Sequence, residues 1–227
     1  MPYQSAARFL VLHAVRLKGV AEVPALCRAS DLAAGEVETG LAGLAADGLV
    51  ERRPGPLSGW APTALGRKHD DVEVAEELEA SGARPLVEAA YQSFLGLNPK
   101  LLEVCTAWQL RRTEGDDSGD GSGGGEPDAR PIVNDHTDPA YDAAVVARLV
   151  EVHRRAQPLL AGLAGALARF APYGPRLAHA LAQVQAGEGD WFTRPLLDSY
   201  HSVWFELHQD LLDTLGLDRG TTDASVT

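Results

Sequence analysis

Apolar residues recur at helical spacing along most of the chain, and the pattern changes to a strand-like one in only one place. Ala6, Phe9, Leu10, Leu12, His13, Val15 and Leu17 predict a mostly buried first helix over 5–18, closed by Gly19. Residues 21–29 predict a short second helix, with Pro24 in its first turn and Leu26 and Cys27 inward. Ser30-Asp31-Leu32 is the turn, and Val37, Leu41 and Leu44 then form one stripe at i, i+4 and i+7 over 34–47. Gly48 stops that helix. Leu49 and Val50 begin a strand that runs through Arg53, Pro54–Gly59 is a turn signal, and Trp60–Thr63 is the returning strand.

Everything after the hairpin reads as helix. Residues 67–80 form an acidic helix with Val72, Val74, Ala75 and Leu78. Residues 84–97 and 99–112 form two helices joined at Asn98-Pro99. Residues 140–156 carry Tyr141, Val145, Leu149 and Val152 on one face and are broken at Pro158; segments 159–170, 175–186 and 195–215 follow. No strand is expected beyond the hairpin. The intervening TEGDDSGDGSGGGEPD, residues 113–128, is acidic and glycine-rich, and reads as a mobile insertion that buries no core. Residues after Gly216 read as a fraying tail.

Composition narrows the class. The chain has 227 residues, 45% hydrophobic and 23% charged, so it can bury real cores. No apolar run approaches the roughly 20 residues that span a bilayer, and the opening MPYQSAARFLVLHAVRLKG is too polar and periodic for a signal peptide. Cys27 and Cys105 both sit in apolar helical patterns and read as reduced structural thiols. The expected location is therefore the cytoplasm, with no membrane partner. The net charge of −12 argues against a general nucleic-acid coat. Its distribution matters more: the first 70 residues carry eight Lys/Arg against seven Asp/Glu, and the remainder twelve against twenty-five.

Three short helices, then L-x-x-D-G-L-V-x-R over Leu44–Arg52, a Gly/Pro hairpin, and T-x-x-G over Thr63–Gly66 resemble the winged helix-turn-helix domains of bacterial MarR- and PadR-type transcription regulators. The resemblance covers roughly the first third of the chain. Together with the pattern above it gives a mainly α protein: a winged helix with a two-stranded wing over 1–68, linker and dimerisation helices over 69–112, a disordered acidic loop over 113–130, an all-helical ligand-sensing and dimerisation domain over 131–217, and a disordered tail over 218–227. It further implies a homodimer that binds double-stranded DNA. Helix 34–47 would enter the major groove and offer Glu38 and Thr39 to base edges. Glutamate can accept from cytosine N4, but no arginine on this helix can make the bidentate contact to guanine. Phosphate contacts fall to Arg28, Arg52, Arg53, Arg67 and Lys68. Two other readings stand beside this one: a winged helix that serves as a protein-interaction or ligand-binding module, and an enzyme.

The helical part holds the second set of candidates. His201, Trp204, Phe205 and His208 lie at i, i+3, i+4 and i+7, one face of the last helix, while Glu206 and Asp210 read as solvated. With Trp108, Gln109, His136, Asp142 and His153 they have the make-up of one aromatic small-molecule pocket. The competing reading is a core with satisfied polar groups. The spacing matches no zinc motif, and G-x-S-x-G, a phosphate-cradling loop beside a basic residue and G-x-G-x-x-G after a strand are all lacking. No catalytic residue, metal ligand or cofactor is therefore assigned; the expected ligand is a small-molecule effector.

Overall fold

In a computed structural model of the chain, residues 1–55, 58–112 and 131–217 are described. The expected insertion over 113–130 and the expected tail over 218–227 lie outside them.

The described chain is mainly helical with two small antiparallel sheets. Helices α1 (Ala7–Lys18), α2 (Val23–Ser30) and α3 (Ala34–Ala46) precede the hairpin β1 (Val50–Arg53) and β2 (Gly59–Pro62). Val11, Leu12, Val15, Leu26, Leu41 and Leu44 close the core of this unit, and Ala21 pairs with Trp60 on the edge of β2 away from β1. The T-x-x-G segment has a clear physical role. Thr63 Oγ1 donates to the Gly48 carbonyl at 2.7 Å and accepts from Gly66 N at 3.0 Å, so it both ties down the end of α3 and caps α4 (Ala64–Ser81). A Cβ on Gly66 would lie 1.9 Å from the Leu49 carbonyl oxygen, so only glycine lets α4 start this close to β1.

The helical part is built on α5 (Arg84–Gln109) and α6 (Pro139–Ala166), which pack along each other, with α7 (Tyr173–Gln185), the short α8 (Asp190–Thr193) and α9 (Tyr200–Leu215) completing the core. Three expectations change here. Pro99 and Pro158 do not end their helices: α5 and α6 run through them. A proline costs one backbone hydrogen bond. Leu97 and Leu101 on one helix, and Ala156, Leu159, Leu160 and Leu163 on the other, are buried on both sides of the break, which favours continuing. A second sheet exists, β3 (Leu110–Arg112) with β4 (Pro131–Val133), pairing Leu110 with Val133 and Arg112 with Pro131. Each strand is three residues long and the two are distant in sequence, so neither carries an alternation long enough to detect. Finally, α9 begins at Tyr200 on the Ser199 cap; residues 195–199 form a turn in which Leu196 takes φ +66° with its side chain exposed.

Two groups of ion pairs join the first unit to the helical part, and here Glu206 and Asp210 prove buried rather than solvated. In one, His13 Nδ1 faces Asp70 at 3.1 Å and its Nε2 faces Asp210 at 3.2 Å. Arg169 bonds Glu77 and Asp210 and reaches Thr214 at 2.6 Å, and Tyr173 donates to Asp210 at 2.9 Å. In the other, Lys18 meets Asp198 at 2.7 Å and Glu206 at 2.6 Å; Arg28 meets Asp198 at 2.8 Å, and Arg176 meets Asp198 at 3.2 Å and Glu206 at 2.6 Å. Acidic residues of a helical pattern end up inside because basic residues of α1, α2, α7 and the turn before α7 meet them there.

Candidate functional site

Two surfaces carry the candidate residues. The first is the outer face of α3 and the adjoining hairpin. Val37, Leu41 and Leu44 are buried, which leaves Glu36, Glu38, Thr39, Ala42, Gly43 and Ala46 exposed on the opposite side. Glu36 Oε2 accepts from Ala33 N at 3.0 Å and caps its own helix, and Thr39 Oγ1 donates to the Gly35 carbonyl at 2.7 Å. The outward side chains are thus short or acidic.

Carboxylates accompany the hairpin arginines. Arg52 Nη1 donates to Glu22 at 2.7 Å, and its guanidinium lies 5.6 Å from the Trp60 ring centre. The Arg52 hydrogen bond leads the effects that hold the Glu22 carboxyl below its ordinary range; slight burial opposes it and Ser58 adds to it. Arg53 lies 3.2 Å from Glu51. Arg28 is engaged by Asp198, although half its side chain stays exposed. Arg67 is half-buried and Lys68 exposed, both in the first turns of α4.

The second surface is a cleft of about 1040 Å³ between the end of α5, the 133–142 segment and the α7–α8 turn. Trp108 and His136 form its aromatic wall, 4.4 Å apart on a tilt, and behind them Trp108 stacks on the buried Phe192 ring at 4.6 Å and an interplanar angle of 10°. A Cβ on Gly189 would sit 3.1 Å from the Trp108 ring, so a side chain at this position would crowd the indole. Asn134, buried, organises the polar side. Its amide donates to Asp142 Oδ1 at 2.8 Å and to the Trp108 carbonyl at 3.1 Å, and its N–H donates to the Gln109 carbonyl at 2.8 Å. His136, at φ +57°, presents Nδ1 to Asp142 Oδ2 at 3.0 Å. A proton on Nδ1 would be held by that carboxylate, which turns Nε2 away from it. Asp142 accepts from both Asn134 and His136, so its two oxygens are fixed.

The structure divides the expected pocket. Trp108, Gln109, His136 and Asp142 line the cleft; His153, His201, Trp204 and His208 do not. Trp204 is core: its indole stacks on Phe94 at 4.7 Å and donates to Asn98 Oδ1 at 3.0 Å. His208 lies against Phe94 and Tyr91. His153 accepts from Gln157 at Nε2 (2.9 Å) and faces the Tyr200 hydroxyl at Nδ1 (3.3 Å). Burial lowers the pKa of both His153 and His201, which keeps these imidazoles neutral near pH 7. Phe205, grouped with them by spacing, is half exposed.

Spacing alone could not separate these residues, because one helix face reads the same whether it meets a core or a cleft. Among the cleft residues that the pattern missed are Glu188, Asp190 and Arg194, and buried Phe192 backs Trp108 from the core. The only local sign of them was the Gly187-Glu188-Gly189 turn ahead of Trp191-Phe192. Among the described residues, no group of three His, Cys, Asp or Glu side chains is placed to hold a metal ion, and no helix is long and apolar enough to cross a membrane. No protein-family model, curated protein or solved structure matches the chain.

Proposed function

We propose that the chain is a DNA-binding transcriptional regulator. Residues 1–68 act as a winged helix-turn-helix of the MarR/PadR kind, and the helical part senses a small molecule in the Trp108–His136 cleft. The observation that carries this reading is the unit α1–α3 with its hairpin. Glu36, Glu38 and Thr39 of α3 face outward, and α3 packs next to β1, the strand that carries Arg52 and Arg53, which is compatible with a groove-entering helix followed by a backbone-contacting wing. The ion pairs from Lys18 and Arg28 to Asp198 support coupling between the unit and the helices that carry the cleft. A ligand that prefers one arrangement of those helices would bias the pose of the DNA-binding face. The homodimer implied by the resemblance would place two such faces on one operator, and exposed Leu65 and Val72 on α4 are candidates for its seam.

A second reading has its own support. α3 carries no basic residue, and Arg28, Arg52 and Arg53 are each already beside a carboxylate. That pattern favours a winged helix that contacts protein rather than DNA. The two readings separate on binding of the full chain to the duplex upstream of its own gene. The regulator binds that duplex more tightly than random sequence and weakens as salt rises. Arg52→Ala with Arg53→Ala lowers the salt slope by about 2, because each arginine neutralises one phosphate. Equal, weak affinity for both duplexes at low salt favours the protein-interaction reading.

A further inference from the structure

We infer that the cleft takes a flat organic cation: an aromatic or fused-ring body carrying a positive charge. The inference rests on reading the cleft as the small-molecule site and names what that site selects.

Shape and apolar surface come first. Trp108 and His136, tilted against each other and backed by the buried Phe192 ring, form one wall, and Val146, Val184 and Pro195 contribute apolar surface. The His136 side chain is 42% exposed, so a planar body can pack against its ring beside Trp108. A volume of about 1040 Å³ leaves room for two or three fused rings.

Charge then decides the class. Among the described residues, Asp142, Glu188 and Asp190 line the cleft against a single guanidinium, Arg194. Arg194 is bonded to Asp190, so the two offset each other and Asp142 and Glu188 set the sign of the lining. Asp142 is fixed by Asn134 and His136, and Glu188 stands exposed on the turn. The lining is net negative, and the helical part around it is strongly acidic. An anionic ligand would enter against that field, whereas a cation gains from it at every approach.

The test uses two matched probes on the full chain: proflavine, a tricyclic cation, and anthracene-9-carboxylate, a tricyclic anion, followed by equilibrium dialysis. Proflavine is expected to bind about tenfold or more tightly than the anion, a difference of about 1.4 kcal/mol. Glu188→Gln with Asp190→Asn weakens proflavine several-fold. Arg194→Gln tightens it. Glu151→Gln, an exposed carboxylate outside the cleft, leaves it unchanged. Opposite signs from neighbouring substitutions are what a charge-selective site produces and what general loosening of the turn does not. Anion binding equal to or tighter than cation binding overturns the inference and leaves the cleft reading standing. So does proflavine binding that is indifferent to all three cleft substitutions. If neither probe binds, the cleft reading falls with the inference.

Discussion

Buried charge concentrates at His13. Burial alone would lower its pKa, but Asp70 and Asp210 together outweigh both burial and the Arg169 charge and raise it to about 10. The folded chain therefore holds a proton there that the unfolded chain releases near 6.5. The stabilisation is complete below that pH and is lost as pH rises through about 10. His153 and His201 act the other way: their folded pKa values are depressed, so stability falls as pH drops below 6.5. Urea unfolding from mildly acid to mildly alkaline pH is expected to show a maximum near neutrality, and His13→Gln should remove most of the alkaline decline. Trp204 gives a second test at this scale. As a core residue, Trp204→Ala should cost about 3–5 kcal/mol. A pocket residue would instead leave the unfolding midpoint near that of the parent. Sequence could show that Trp204 and the histidines share a helix face, but not which neighbour that face meets. That depends on Phe94 and Asn98, far away along the chain.

At the scale of elements, the Leu44–Gly66 segment was the most legible, because its signals are local. Gly48 ends α3, Thr63 caps α4, and Gly66 is forced by the Leu49 carbonyl. Gly66→Ala should destabilise the chain by about 1–3 kcal/mol, as overpacking against backbone does, measured by denaturant midpoint. The prolines were legible as breakers and misled for that reason. A local penalty was visible at Pro99 and Pro158, while the burial that outweighs it came from the other helix. Pro99→Ala restores an N–H donor inside α5 and should raise stability, by up to about 3 kcal/mol if no strain replaces it; unfolding of variant and parent side by side measures it. The β3–β4 pair and the α7–α8 turn share the same cause of illegibility: strands of three residues and a helix of four carry no period.

For the whole molecule, the expected boundary between an N-terminal head and a helical body is crossed by charge. Lys18, 12% exposed, links α1 to Asp198 before α9 and to Glu206 within it. The carboxyl of Asp198 is held well below its usual range: against the upward push of burial stand Arg176 and Lys18, and hydrogen bonds from Lys18 and Arg28 add to their effect. Lys18→Met leaves two buried carboxylates with fewer partners and should cost about 3–5 kcal/mol. Hydrogen exchange should then rise in α1 and α2 before it rises in α5 and α6. These pairings could not be read from sequence, since Lys18 and Glu206 each look like a surface charge on its own helix. What the sequence did carry was the order of elements that suggests a DNA-binding head, together with the acidic α3 that sets it apart.

The most direct test of that head is fluorescence anisotropy of the full chain against the duplex upstream of its own gene and against a random duplex, at several salt concentrations. A DNA-binding head gives tighter, salt-sensitive binding to the former, with the slope reduced by about 2 in Arg52→Ala with Arg53→Ala. Indistinguishable affinities for the two duplexes at low salt would contradict it.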